Sequence, residues 1–470
     1  MMKRVLAMLL LATPAALAQP SSSPGAAPAA AKASVAARDP AVVAVERLAL
    51  SIHRKTLDNG LRVVLNPDPS SPTVAVSVTY DVGSRNEDPR QSGFAHLFEH
   101  MMFQGSGNVE KGQHFGLITQ RGGTLNGTTS ADRTNYFESL PANELELALF
   151  LEADRMRSLK VTAENFENQR AVVKEEYRMR VDNTPYVRGI LRLGEIVFAD
   201  YPPYAHPTIG SMEALDAAQL SWVQEFYDRY YAPNNAALTI AGAFDVDQAM
   251  ELVQRHFGQL QRRDVPPFTV KTPESYPKAT PRQVVEDRNA ATPGILWGYR
   301  IPPTRTKDHY ALEVVAQLLT DGESSRLYQK LVRERPLLQS VSSGTSDRRG
   351  PDQFTLMGVL NQKTKLEEVE RAFHAEIERL RQAAPSPAEL QRAKARLKHH
   401  FVFGLQANSP RAISLGEYEV FYGDARLLTR ELAAYLEVTA ADVQRVAREY
   451  LLPERRFVVE VRPVQKEAAR

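Results

Sequence analysis

The segment Gly93-Phe94-Ala95-His96-Leu97-Phe98-Glu99-His100-Met101-Met102-Phe103 holds the residues best suited to chemistry. On a helix, side chains four apart stand one turn above each other. His96 and His100 can therefore aim two imidazoles at one ion, and neutral imidazole is a good zinc ligand. Glu99 follows His96 by three residues and borders the same face. A carboxylate there can collect a proton from water acidified by zinc to a pKa of about 7 and pass it to a leaving amine. The order His-x-x-Glu-His inverts the commoner zincin order.

A catalytic zinc site takes three protein ligands and keeps a position open. The other histidines, His53, His114, His206, His256, His309, His374, His399 and His400, read as surface or satisfied polar residues. A carboxylate from a second helix is the better third ligand, and the stretch Glu167 to Glu176 offers two adjacent candidates. Glu175 and Glu176 sit about 100° apart on a helix, so one of them faces the metal. Glu176 shares its side with Val172 and Gln169, and Glu175 shares its own with Ala171. The apolar side favours Glu176, but spacing alone leaves both open.

The elements that must carry these residues show in the pattern. Leu57-Asp58-Asn59-Gly60-Leu61 places an Asn-Gly turn between two extended runs, which predicts a β-hairpin over Arg54 to Val64. Val74 to Tyr80 and Thr134 to Leu140 read as strands, and Gly122 to Gly127 as a Gly-rich stretch ahead of the second. Helical periodicity covers Asn143 to Leu159 and Ala163 to Met179. Val223, Phe226, Tyr230 and Pro233 recur at one constant offset as Val443, Val446, Tyr450 and Pro453. Each set is an amphipathic helix stopped by proline and followed by an apolar strand, Ala236 to Ala241 in one case and Phe457 to Val461 in the other. That repeat predicts two similar halves, residues 45–262 and 282–470. The Pro-rich, charged stretch 263–281 joins them.

At 470 residues and 43% hydrophobic content the chain is long enough for two cores. With Lys+Arg 58 against Asp+Glu 56 and no basic block, it lacks the electrostatic footprint of a nucleic-acid binder. The absence of cysteine excludes disulfides, thiol catalysis and thiolate zinc sites. Lys3 and Arg4, the apolar run Val5 to Ala12, and Ala16-Leu17-Ala18 read as a secretory signal over residues 1–18, cut after Ala18. An Ala/Pro/Ser-rich flexible linker over 19–44 follows. No later stretch is apolar and long enough to span a bilayer, so the expectation is an exported protein, periplasmic or secreted, with no membrane span once the signal is removed.

Taken together, Gly83-Ser84-Arg85, Gly93 to Ser106, Thr124 to Phe137, Gln169 to Glu176, Tyr231 to Asn235 and Gly322 to Leu327 resemble the pitrilysin/insulinase family of metallopeptidases, in its short, processing-peptidase-like branch. The resemblance runs through most of the chain after residue 50. It implies an α+β fold of two similar halves, each an antiparallel sheet backed by helices. It implies one zinc per chain on His96, His100 and Glu176, with Glu99 as the catalytic base; the Arg-x-Val-Val pattern aligns the third ligand on Glu176. It also implies that a peptide substrate adds as a strand along Thr124 to Thr129, which makes Leu125, Asn126, Gly127 and Thr128 candidate substrate-binding residues.

Two positions depart from the family pattern. Gln169 stands where a second glutamate is common, so the surroundings of the ligand lose a charge. Members that cut alone carry an Arg and a Tyr in the second half. Arg333 matches the Arg, but Ser340 stands at the Tyr position. The expected function is an exported zinc endopeptidase acting on peptides or unfolded segments. Its expected partner is a homologous subunit supplying the Arg/Tyr pair, or a second copy in a homodimer. The rivals are a non-catalytic scaffold subunit and a metal-stabilised binding protein. Both leave Glu99 without a use.

Overall fold

The computed structural model describes residues 50–88, 91–279 and 281–464. The expected signal (1–18) and linker (19–44) lie outside them. Leu57 to Leu61 reverse the chain between β1 (His53–Thr56) and β2 (Arg62–Pro67), which pair antiparallel with His53 opposite Leu65. Gly60 takes the left-handed φ of 89° that the turn requires. The Asn59 amide donates to the carbonyls of Phe257 and Leu260, tying the hairpin to the end of the first half.

The first sheet adds β3 (Thr73–Tyr80), β4 (Thr124–Thr129), β5 (Thr134–Pro141) and β6 (Ala236–Gly242) in the order β1-β2-β6-β3-β5-β4. The second sheet holds β7 (Gln283–Asp287), β8 (Gly294–Ile301), β9 (Leu338–Thr345), β10 (Asp352–Leu360) and β11 (Phe457–Pro463), ordered β7-β11-β8-β10-β9. The two orders superpose, with β2-β6-β3-β5-β4 answering to β7-β11-β8-β10-β9. The sequence repeat falls on matching units: helix Leu220–Tyr230 leads to β6, and helix Ala440–Tyr450 leads to β11. The fold is α+β in two similar halves, as expected. Each sheet is mostly antiparallel but includes one parallel pair, β2 with β6 and β7 with β11, because the chain returns to the sheet only after a long helical excursion.

The halves are not packed as independent units. Helix Asn408–Tyr422 of the second half lies on β3 and β6 of the first sheet, and helix Val187–Val197 of the first half lies on β8 and β11 of the second. Small residues permit the approach: Ala412 meets Ala75 and Ala241, and a Cβ on Gly416 would stand 2.7 Å from Thr79 Oγ1. With both faces covered, β6 and β8 are buried along their whole length. Among the described residues, no helix is long and apolar enough to cross a membrane.

Candidate metal centre and substrate cleft

The two histidines and Glu99 ride on helix Phe94–Met101. Gly93 opens it at a φ of 95°, and its missing side chain matters, since a Cβ would lie 2.8 Å from the Ile209 carbonyl. Glu87 accepts hydrogen bonds from the Gly93 and Ala95 amides at 2.8 and 2.7 Å, satisfying the first turn. Phe94, Leu97, Phe98 and Met101 sit in the first core, so the opposite side of this short helix is left to His96, Glu99 and His100. Glu176 comes from helix Ala163–Tyr177, which Thr162 caps by accepting from the Asn165 amide. Phe166 and Val173 anchor that helix in the same core. A π-helical turn, Arg178–Asp182, follows directly, a feature frequent at functional sites.

Glu176 Oε2 lies 3.5 Å from His96 Nε2 and 3.1 Å from His100 Nε2. The three ligand atoms fall within 4.8 Å of one another. Oε2 is buried with no hydrogen-bond donor in line, while Oε1 accepts from Arg180 Nε at 2.9 Å. Burial drives the His96 pKa down to about 4, with His100 adding to the effect, so its ring is neutral at neutral pH, the form that binds metal. Burial pushes the Glu176 carboxyl up, but the contact with His100 and the nearby His96 and Arg180 outweigh it, and the group sits below its ordinary value. Two imidazoles and a carboxylate with a bare buried oxygen form a donor set that fits zinc. Glu175 turns away and pairs with Arg178.

Glu99 is the third functional group of the helix. Its Oε2 accepts from Thr129 Oγ1 at 2.5 Å. Burial raises its pKa, and the Thr129 hydroxyl, His100 and Arg133 oppose the rise. The strand beside it is β4, the edge of the first sheet, which among the described residues pairs on one side only, with β5. A Cβ on Gly127 would lie 3.0 Å from both Cγ and Oε1 of Glu99, so the strand passes as close to the carboxylate as glycine permits.

These groups open on a cleft of about 1300 Å³. Of the four expected substrate-binding residues, Asn126, Gly127 and Thr128 line it. Leu125 does not: its side chain packs on the first core. Thr129, which was not singled out in the sequence, holds the Glu99 carboxylate. Gln169 lines the cleft but donates to Asn168. The second half reaches the cleft through Ser346, Arg348, Gln353 and Thr355, not through Arg333 or Ser340. Arg333 is 59% exposed near Glu323, and Ser340 lies on β9, the edge strand of the second sheet. Among the described residues, two further clusters join a histidine to carboxylates, His114 with Glu138 and Glu152 and His309 with Glu313 and Asp347. Neither lines the cleft, and in the first Arg155 already supplies the cation beside Glu152.

Comparison with known proteins gives the family. The profile described as "Insulinase (Peptidase family M16)" matches residues 62–192, and "Peptidase M16 inactive domain" matches 219–397. A relative from Helicobacter pylori named "Zinc protease PqqE" is 31% identical over 87% of this chain and 92% of its own length. The chain belongs to the insulinase (M16) family of peptidases. A solved structure, "The crystal structure of a protease from Helicobacter pylori", superposes with a TM-score of 0.82 at 30% identity, covering 88% of this chain and 99% of that one. An Arabidopsis thaliana relative, "Probable mitochondrial-processing peptidase subunit beta", is 24% identical over 87% of this chain and 78% of its own length. Within the M16 frame, the first profile spans His96, Glu99, His100 and Glu176, and the second spans the segment from Ser346 to Thr355 that closes the cleft.

Proposed function

We propose that the chain is an exported zinc endopeptidase that hydrolyses peptides or unfolded segments. The observation that carries this reading is the convergence of His96, His100 and Glu176 at one point, with Glu99 on the same helix, beside an unpaired strand edge at the floor of the cleft. His96, His100 and Glu176 would hold one zinc ion, which when bound supplies Lewis acidity toward the scissile carbonyl and the attacking water. An extended peptide pairs with the free backbone edge of β4 at Asn126 to Thr128, a mode that reads the main chain before the side chains. Glu99 takes the proton of the attacking water and delivers it to the departing amine as the C–N bond breaks. Thr129 holds Oε2 of that carboxylate in place, and the burial that raises its pKa brings it nearer to the range in which a base also serves as an acid. Export rests on the signal-like segment ending at Ala18, and a mature N-terminus that begins after Ala18 is its check.

Glu99→Gln tests the reading. The amide keeps the size of the side chain and removes the base. The variant is expected to retain one zinc per chain and to lose nearly all hydrolysis of an unstructured peptide. Turnover near that of the unmodified enzyme removes Glu99 from the mechanism. A scaffold subunit would need neither the base nor its hydrogen-bonded threonine.

A further inference from the structure

We propose that Glu417, a residue of the second half, is a positioning residue for Glu99 and acts through Arg133 and the end of β4; the proposal rests on Glu99 being the base. Arg133 closes the turn between β4 and β5, where its carbonyl accepts from the Ser130 amide at 2.9 Å. Its guanidinium then makes two connections. Nε donates to Glu417 Oε1 at 2.7 Å. Nη1 donates to the Thr128 carbonyl at 2.7 Å and also to the Thr128 hydroxyl. That hydroxyl donates in turn to Asn135 Oδ1 at 2.6 Å. The next residue, Thr129, donates to Glu99 Oε2.

The path thus runs from a helix of the second half, through one guanidinium, to Thr128, and from its chain neighbour Thr129 to the carboxylate. Glu417 can stand there because its neighbour Gly416 lets helix Asn408–Tyr422 settle onto β3 and β6. Both partners are buried, Arg133 at 3% and Glu417 at 8% exposure.

A buried ion pair contributes little net stability, but removing one partner leaves an uncompensated charge that must find water. Without Glu417, the guanidinium has reason to leave its place. The Thr128 carbonyl and hydroxyl then lose their donor, and the end of β4 is free to shift. Thr129 moves with it, and Glu99 loses the hydroxyl that fixes its orientation. The consequence falls on the chemical step, because displacements on the order of 1 Å from productive geometry cost as much as about a hundredfold in rate. The second half therefore holds the base carried by the first half in place.

The experiment compares zinc-loaded Glu417→Gln, Arg133→Lys, Thr129→Val and the double variant Thr129→Val/Glu417→Gln with the unmodified protein. Zinc content, kcat and KM on an unstructured peptide are measured, and a crystal structure of zinc-loaded Glu417→Gln is determined. Arg133→Lys keeps the charge opposite Glu417 but replaces the rigid fork, whose Nε and Nη1 reach Glu417 and Thr128 separately, with a single compact ammonium. It therefore tests the path even where Glu417→Gln does not fold.

The expected result is unchanged zinc, with kcat lowered about ten- to a hundredfold in each single variant and KM changed far less. The double variant should lose no more than Thr129→Val alone, and the crystal structure should show Glu99 released from Thr129. Overturning results are kcat in Arg133→Lys and Glu417→Gln close to that of the unmodified protein, additive losses in the double variant, or a Glu99 still bonded to Thr129. Glu99→Gln separates the two readings. If it is inactive while Glu417→Gln works normally, the positioning role alone fails. If it is active, the base itself is misassigned.

Discussion

Glu176 Oε2 stands 3.1 Å from His100 Nε2, so the end of one helix meets the face of another at a point where no backbone intervenes. Glu175, its neighbour in the chain, pairs with Arg178 instead. Glu176→Gln is therefore expected to lose zinc, while Glu175→Gln keeps one equivalent. Elemental analysis of the dialysed proteins reads the difference directly. Loss of zinc from Glu175→Gln with retention in Glu176→Gln would exchange the two assignments.

Gly127→Ala places a methyl group 3.0 Å from Cγ and Oε1 of Glu99. The neighbour that must give is a side chain rather than a backbone, so the fold survives and the carboxylate moves. The expected outcome is a Tm near that of the unmodified protein and a kcat lowered about tenfold or more. Steady-state kinetics beside a thermal melt separates the two effects. An unchanged kcat would mean that β4 does not press on Glu99 in solution.

The legible parts of this molecule are local and periodic. The Asn59-Gly60 turn, the His96-Glu99-His100 face and the helix-Pro-strand repeat each rest on residues within a few turns of one another, and each stands where the pattern put it. Glu176 was half legible: helical phase favoured it, and resemblance to the family distinguished it from Glu175. The Thr129 bond to Glu99 and the Arg133 bond to Glu417 had no such signal. The second joins residues 284 apart in sequence, and a pairing made by tertiary packing leaves no period to read. The exchange of helices between the halves escaped for the same reason. Arg348, in a loop, and Tyr204, at the end of the single 3-10 turn Pro202–Tyr204, were missed because neither segment is long enough to show a face. The one cue to Tyr204 was a Pro-Pro-Tyr stretch ahead of His206.

His309 and Asp352 make a buried pair at 2.9 Å in the second half. Burial alone would lower the His309 pKa, but the Asp352 hydrogen bond and the charges of Glu313, Asp352 and Asp347 raise it from 6.5 to about 9. A histidine whose folded pKa is raised gives stability that is complete below its unfolded pKa and disappears as pH rises through the folded one. The expected result is a Tm that falls between pH 6.5 and about 9, with a smaller fall over that window in His309→Gln. Equal slopes in the two proteins would show that the pair does not titrate there.

Activity of the isolated chain is expected to be low, and the reason lies in the lining of the cleft. Tetrahedral chemistry at a carbonyl gains from a donor aimed at the developing oxyanion, and loss of one such donor costs about a hundred- to a thousandfold in kcat. Among the described residues, Tyr204 is the tyrosine that lines the cleft. Its hydroxyl is already engaged, donating to Asp132 Oδ1 at 2.6 Å and accepting from the Gly350 amide at 2.9 Å. The Arg348 guanidinium lies over the rings of Phe198 and Tyr204, 4.2 and 4.7 Å from their centroids. Tyr418 is held among Arg305 and Glu431 in the second half, and neither it nor Tyr328 lines the cleft. Arg333 and the edge strand β9, where Ser340 replaces the family's tyrosine, face outward, where another chain could meet them. A homologous subunit carrying the Arg/Tyr pair is thus expected to raise turnover of the zinc-loaded chain on an unstructured peptide by about two orders of magnitude. The assay compares the purified chain alone, at concentrations spanning its self-association, with the chain plus that subunit. High turnover by a monomer, unchanged by any added subunit, would show that this chain completes its own site and that Ser340 costs it nothing.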